Sequence, residues 1–252
     1  MADIRPNVVK RKLAAGQAAT ILSGNNSTDV IDMLGPLDFD GVWLEGEHGP
    51  VDFGSVPDLT RACDLWGKTS VVRVNSNHYG TIYRTLDLGA QGIVVPHVDS
   101  ADEARAVVDA AKFHPLGSRG MYTSRQGYGV PDYLHRANDE TLLVVLIEDA
   151  AAIENLDEIV QVDNIDVFFI APSDLAQSMG HLGRMDHPDV QAVIDDAIAR
   201  IVGTGKTAGT VVSDATVESY IAKGVRFLMT NWNAWLAAGV QEFVRKVDAA
   251  TS

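Results

Sequence analysis

Eight short apolar runs recur along the chain, separated by stretches whose apolar residues follow a helical period. The runs are ATILS (19–23), GVWLE (41–45), SVVRV (70–74), GIVVP (92–96), LLVVLIE (142–148), DVFFIA (166–171), AGTVVS (208–213) and RFLMT (226–230). Continuous apolar runs of this length read as strands buried on both faces, and their alternation with helices predicts a parallel sheet covered by helices. Eight such strands are the number a closed (β/α)8 barrel requires. The expectation is an α/β, TIM-barrel chain with residues 1–252 as one domain.

The intervening segments carry helix punctuation. In 100–113, Ser100 and Glu103 form a capping box, and Ala104, Val107, Val108 and Ala111 keep helical spacing. Residues 187–205 open with Pro188 in the first turn and end at Gly203 and Gly205. Val190, Val193, Ile194, Ala197 and Ile201 make its expected buried stripe. Another capped helix is expected after Ser213, stopped by Gly224. The last segment, Trp235 to Val247, is amphipathic and rather apolar, and is expected to pack on a neighbouring subunit. Residues 114–141 break the scheme, being long, polar, aromatic and glycine-rich. Loops of that length usually have a task, so a cover across the rim or a subunit contact is expected.

Composition narrows the class. The 252 residues include 46% hydrophobic and 21% charged, enough apolar material for one sizeable core. No run of eighteen apolar residues exists, and the first residues hold no apolar stretch long enough for a secretory signal. Cys63 is the only cysteine, so no internal disulfide forms, and the chain is expected in a reducing cytoplasm. The formal charge is −14, which repels phosphate backbones; no nucleic-acid or membrane partner is expected, and VKRK (9–12) reads as a solvated helix start.

In a (β/α)8 barrel the strand C-termini and the loops after them form the active face. Those positions hold Glu45, Glu47, His48, Arg73, Asn75, His97, Glu148, Ser173, Asp174 and Ser213. Glu148 ends a wholly apolar strand, where a carboxylate costs desolvation unless something positive meets it. Asp174 projects from the next strand end. Two carboxylates on adjacent strands suit a hard divalent cation; a salt bridge at Glu148 and a helix cap at Asp174 are the ordinary alternatives. Arg73 would present planar donors to a carboxylate or enolate oxygen. His48, in a tight loop, is a candidate general base or metal ligand, with Glu45 to orient it, although a lone loop histidine is more often neither.

LEGEHGP (44–50), VVRVN (71–75), LDLGAQGIVVPHV (86–98), LIED (146–149) and FIAPSDLAQSMG (169–180) together carry a resemblance that runs over nearly the whole chain. The sequence resembles the class II pyruvate aldolases, the 4-hydroxy-2-oxoheptanedioate or hydroxy-ketoacid aldolases of the phosphoenolpyruvate/pyruvate barrel superfamily. The resemblance implies a homo-oligomer, commonly a hexamer built as a trimer of dimers with an exchanged last helix. It implies a divalent ion (Mg2+, Mn2+ or Co2+) held by Glu148 and Asp174. It implies that pyruvate chelates that ion, with backbone N–H groups at Ser173 and Asp174 receiving its carboxylate. Arg73 would steady the enolate oxygen, His48 would move the proton, and Asp87 of a neighbouring subunit would pair with His48. Leu146 and Val212 fall at the substrate.

Two departures stand out. Glu45 replaces an aspartate common in relatives, and Leu146 replaces a glutamine two residues before the metal glutamate. The implied substrates are a 2-oxoacid, pyruvate or hydroxypyruvate, and an aldehyde, joined or cleaved next to a metal-stabilised enolate. A class I aldolase would need a Schiff-base lysine on an inner strand, and all seven lysines (10, 12, 68, 112, 206, 223 and 246) read as helix or turn residues. A related lyase or decarboxylase acting on a malyl, citramalyl or oxaloacetate-like substrate is the main competitor. A non-catalytic small-molecule sensor is the third reading.

Overall fold

The computed structural model describes residues 3–251. Eight parallel strands close a barrel in sequence order. They are β1 Ala19–Ser23, β2 Gly41–Glu45, β3 Thr69–Arg73, β4 Gly92–Val95, β5 Leu142–Ile147, β6 Val167–Ile170, β7 Ala208–Val211 and β8 Phe227–Asn231. Closure is made by β1, which pairs with β2 through Ile21 opposite Gly41 and with β8 through Ala19 opposite Phe227. Every expected strand forms, with ends shifted by at most two residues.

Strand side chains alternate between faces, so residues two apart share one. One set fills the barrel: Ile21, Trp43, Val71, Val94, Val144, Leu146, Val167, Phe169 and Phe227 form a cluster separate from the outer core. Trp43 meets Phe169 at 5.4 Å between ring centroids, and Phe169 meets Phe227 edge-on at 5.9 Å. Gly209 on β7 makes that crowding possible, because a Cβ there would lie 2.9 Å from both Phe169 and Val167. The other set, including Leu44, Val72, Val145, Phe168 and Leu228, packs against the surrounding helices. The helix Val8–Ala14 closes the barrel floor with Val9 and Leu13. Its cations are not merely solvated: Lys10 and Lys12 pair with Asp166 and Asp40 at 2.6 and 2.9 Å, and Arg11 pairs with Glu140.

The helices follow their expected caps with three amendments. Ser100 accepts the Glu103 N–H, but the Glu103 carboxylate returns to the N–H of Asp99, one residue earlier than a capping box requires. In Pro188–Gly203 the buried stripe gains Ile198, while Val193 is only partly buried. The helix after Ser213 is short, Val217–Ala222, and has no side-chain cap.

The segment 114–141 does not cover the active face of its own barrel. It follows the C-terminus of helix Ala101–Ala111 and precedes the start of β5, so it joins elements at the strand N-terminal end. Arg119 and Arg125 tie it to Asp87 and Asp64, and Gln126 donates to the Gly89 carbonyl. It holds structure of its own, the 3-10 turn Arg125–Gly127 and the helix Tyr133–Glu140. The final helix, Asn233–Thr251, has no buried residue and exposes Leu236, Val240, Phe243 and Val247.

Candidate active site

The inward parity that packs Trp43 and Val71 places Glu45 and Arg73 at the top of the same strands, facing the barrel mouth. They border a cavity of about 420 Å³ that His48, Leu146, Phe169, Ser173, Asp174 and Val211 also line. Arg73 is clamped from two sides. Its Nε donates to both Glu45 oxygens at 2.8 and 2.9 Å, and its Nη1 lies 2.9 Å from Glu47 Oε2. The Nη2 end has no protein acceptor among the described residues and is available to an anionic ligand. Glu45 also accepts from Trp43 Nε1 and from the N–H groups of Glu47 and His48. Burial pushes its carboxyl up, but these hydrogen bonds, Arg73's foremost, outweigh burial and hold it below the ordinary carboxylate range. Glu45 therefore orients Arg73 and the loop, and reaches only the backbone of His48. The carboxylate nearest the His48 ring is Glu47, 3.9 Å away.

Glu148 follows β5, continuing the parity of Leu142, Val144 and Leu146. It is 1% exposed. Its Oε1 accepts the His97 N–H at 2.9 Å, while Oε2 is buried with no partner at all. Burial foremost, helped by the charges of Asp174 and Glu47 and opposed by the His97 N–H bond, leaves this carboxyl pushed up to about 7. An orphaned buried carboxylate oxygen that feels the charge of two further carboxylates is a donor a divalent cation would satisfy, although the ligand atoms of the three are not gathered within 4.8 Å of one another. Asp174 sits in the first turn of the short helix Pro172–Ser178, directly after β6.

The family model for HpcH/HpaI aldolase/citrate lyase matches residues 20–233, which span all the strands but the start of β1 and all the residues just described. The chain belongs to that family. It is 38% identical over 250 residues to the hydroxypyruvate/pyruvate aldolase of Cupriavidus necator, covering 97% of this chain and 92% of that one. It is 36% identical over 238 residues to the 4-hydroxy-2-oxo-heptane-1,7-dioate aldolase of Klebsiella pneumoniae, covering 92% and 90%. Its fold matches the crystal structure of an HpcH/HpaI aldolase/citrate lyase family protein from Burkholderia cenocepacia with a TM-score of 0.90, at 27% identity over 96% of this chain and 99% of that one.

Within this aldolase fold the other expected positions divide. Leu146 is fully buried and lines the cavity floor; Ser173 is exposed at its edge, its hydroxyl 3.0 Å from Met185 Sδ. Val212 does not face the cavity. Strand parity turns Val211 inward, and Val212 lines an apolar groove on the barrel's flank with Leu22, Phe39 and Leu228. Asp87 ends the helix Tyr79–Asp87, at the opposite end of the barrel from its own chain's His48, and pairs with the buried Arg119 at 2.6 Å. No lysine lines the cavity, as the class II reading requires.

Two further features were not singled out by sequence. Amides at or just after the ends of β1 and β8, Asn25, Asn26, Asn231 and Asn233, line the same cavity. Asn231 is itself an inward strand-end position of β8, which parity could have found, and the other three come shortly after Ser23 or Asn231. His181, His187 and Asp189 also gather outside the cavity. There His187 Nδ1 accepts the Asp189 N–H as the cap of Pro188–Gly203, and His181 stacks on it at 3.8 Å, which explains the cluster without an ion.

Proposed function

We propose that this chain is a class II, divalent-metal-dependent pyruvate aldolase, cleaving 4-hydroxy-2-oxoacids reversibly to pyruvate or hydroxypyruvate plus an aldehyde. The observation that carries the reading is the buried, unpartnered Oε2 of Glu148, close enough to Asp174 to feel its charge, while Asp174 lines the same cavity as Arg73. The names of relatives that use pyruvate and hydroxypyruvate support the 2-oxoacid half. A bound Mg2+, Mn2+ or Co2+, held by Glu148 and Asp174, would supply a Lewis acid for the keto oxygen.

The chain's own groups provide the rest. The first-turn N–H groups of Ser173 and Asp174 receive the substrate carboxylate. Arg73, fixed by Glu45 and Glu47, offers its free guanidinium end to the oxygen on which negative charge develops. His48, with a largely exposed ring, takes the C4 hydroxyl proton as the carbon–carbon bond breaks. Leu146 closes the floor without offering a hydrogen bond, so acceptor choice falls to the remaining lining, including the four amides.

The active protein in this reading is a cytoplasmic homo-oligomer, a hexamer built as a trimer of dimers. Two unpaired apolar surfaces support it: the exposed face of Asn233–Thr251, and the flank groove containing Val212, Leu37 and Val217. In such an assembly Asp87 would approach the neighbour's His48. An aldehyde panel with pyruvate and with hydroxypyruvate tests the whole reading. Aldol product should form with Mg2+, Mn2+ or Co2+ and disappear in excess chelator, and Glu148→Gln and Asp174→Asn should abolish it. Full activity in chelator would end the class II reading.

A further inference from the structure

His97 adopts a backbone that few side chains tolerate. Its φ is +52°, in the left-handed region where a Cβ crowds the following carbonyl. Packing does not explain a histidine there, because the side chain is 59% exposed. The left-handed turn does accomplish one thing: it aims the His97 N–H at Glu148 Oε1, 2.9 Å away. The ring meanwhile lies on carboxylates, with Nδ1 2.8 Å from Asp149 Oδ2. A carboxylate only accepts, so Nδ1 carries the hydrogen. Asp149 is free for this contact, since it sits at the N-cap of Ala150–Glu154 without making a side-chain cap. Past the short helix Ala150–Glu154, Asn155 Nδ2 also donates to the Asp99 carbonyl, two residues after His97.

We propose that His97 is a positioning residue for the ion site: its ring, latched to Asp149, holds a strained turn whose N–H fixes Glu148 with Oε2 left free for the ion. The inference rests on Glu148 and Asp174 being the ion's ligands. Backbone strain that persists beside a functional carboxylate needs a compensating contact, and the Asp149 latch is that contact. The latch spans the loop after β4 and the residue next to Glu148, so losing it relaxes the ligand's orientation and leaves the cavity lining in place.

The test is a Mn2+ titration of the whole protein, reading free ion by electron paramagnetic resonance, on wild type, Glu148→Gln, His97→Ala and His97→Gly. Alanine keeps the left-handed cost without the latch, so His97→Ala should bind Mn2+ about tenfold more weakly, the size of that cost. Glycine adopts the turn without strain, so His97→Gly should stay within about threefold of wild type. With Mn2+ saturating, kcat of His97→Ala should recover towards wild type while the ion's apparent constant does not. Wild-type affinity in His97→Ala overturns the proposal. So does equal weakening in the alanine and glycine variants, which would assign the effect to the ring itself. Undiminished binding by Glu148→Gln would instead remove the ligand assignment on which the proposal stands.

Discussion

Arg73 shows how much of this site depends on donor geometry at a single residue. Its guanidinium spans Glu45 and Glu47 and leaves its Nη2 end unpaired among the described residues, an arrangement a lysine ammonium cannot copy. Arg73→Lys should therefore lower kcat/KM by about 100-fold or more, as for a lost oxyanion donor; a variant within a fewfold of wild type would make Arg73 structural. Glu148 sets the pH response. Its folded value of about 7 lies above the ordinary 4.5, so between them the folded carboxyl holds a proton that the unfolded chain has released. The ion-free protein should lose stability as pH rises through that window, and ion affinity should rise across it as the competing proton leaves. Mn2+ dissociation constants measured on either side of pH 7 check this, and a flat profile would contradict it. Among these residues, Glu148 stands out in sequence as the charge that ends an apolar run, Arg73 as a charge inside one and Asp174 as a charge just past one. Glu45's bond to Arg73 was not, because cross-strand register, Glu45 opposite Arg73, is invisible in one sequence.

At the level of elements, the strands were legible because strands buried on both faces are marked by continuous apolar runs. Which face each residue took was fixed only when the barrel closed. Hence the resemblance points to Val212 at the substrate, whereas the closed barrel turns Val211 to the cavity. Gly209 illustrates the same dependence: it reads as a plain glycine until Phe169, Val167 and Phe227 converge on it. Gly209→Ala should destabilise the protein by about 1–3 kcal/mol through overpacking. Denaturant melts of the two proteins measure it, and an unchanged midpoint would mean that the aromatic layer yields freely. The capping signal at Ser100 was sound in position but not in its partner, since the Glu103 carboxylate chose the neighbouring N–H of Asp99.

For the whole molecule, the features hardest to read were those whose partners lie far along the chain. Of the two tasks expected of segment 114–141, a cover across the rim is not met within its own barrel, because Arg119 and Arg125 anchor it to Asp87 and Asp64 at the other end. The final helix reads as apolar in sequence and, among the described residues, buries none of its side chains against its own barrel. In the proposed reaction the barrel mouth makes a pyruvate enolate with a divalent ion and the His48 base. Pyruvate alone, with Mg2+ in deuterated water, should exchange its methyl protons when followed by NMR. The exchange should stop in excess chelator and in Glu148→Gln, and slow in His48→Ala. Exchange continuing at an undiminished rate in excess chelator would contradict the account.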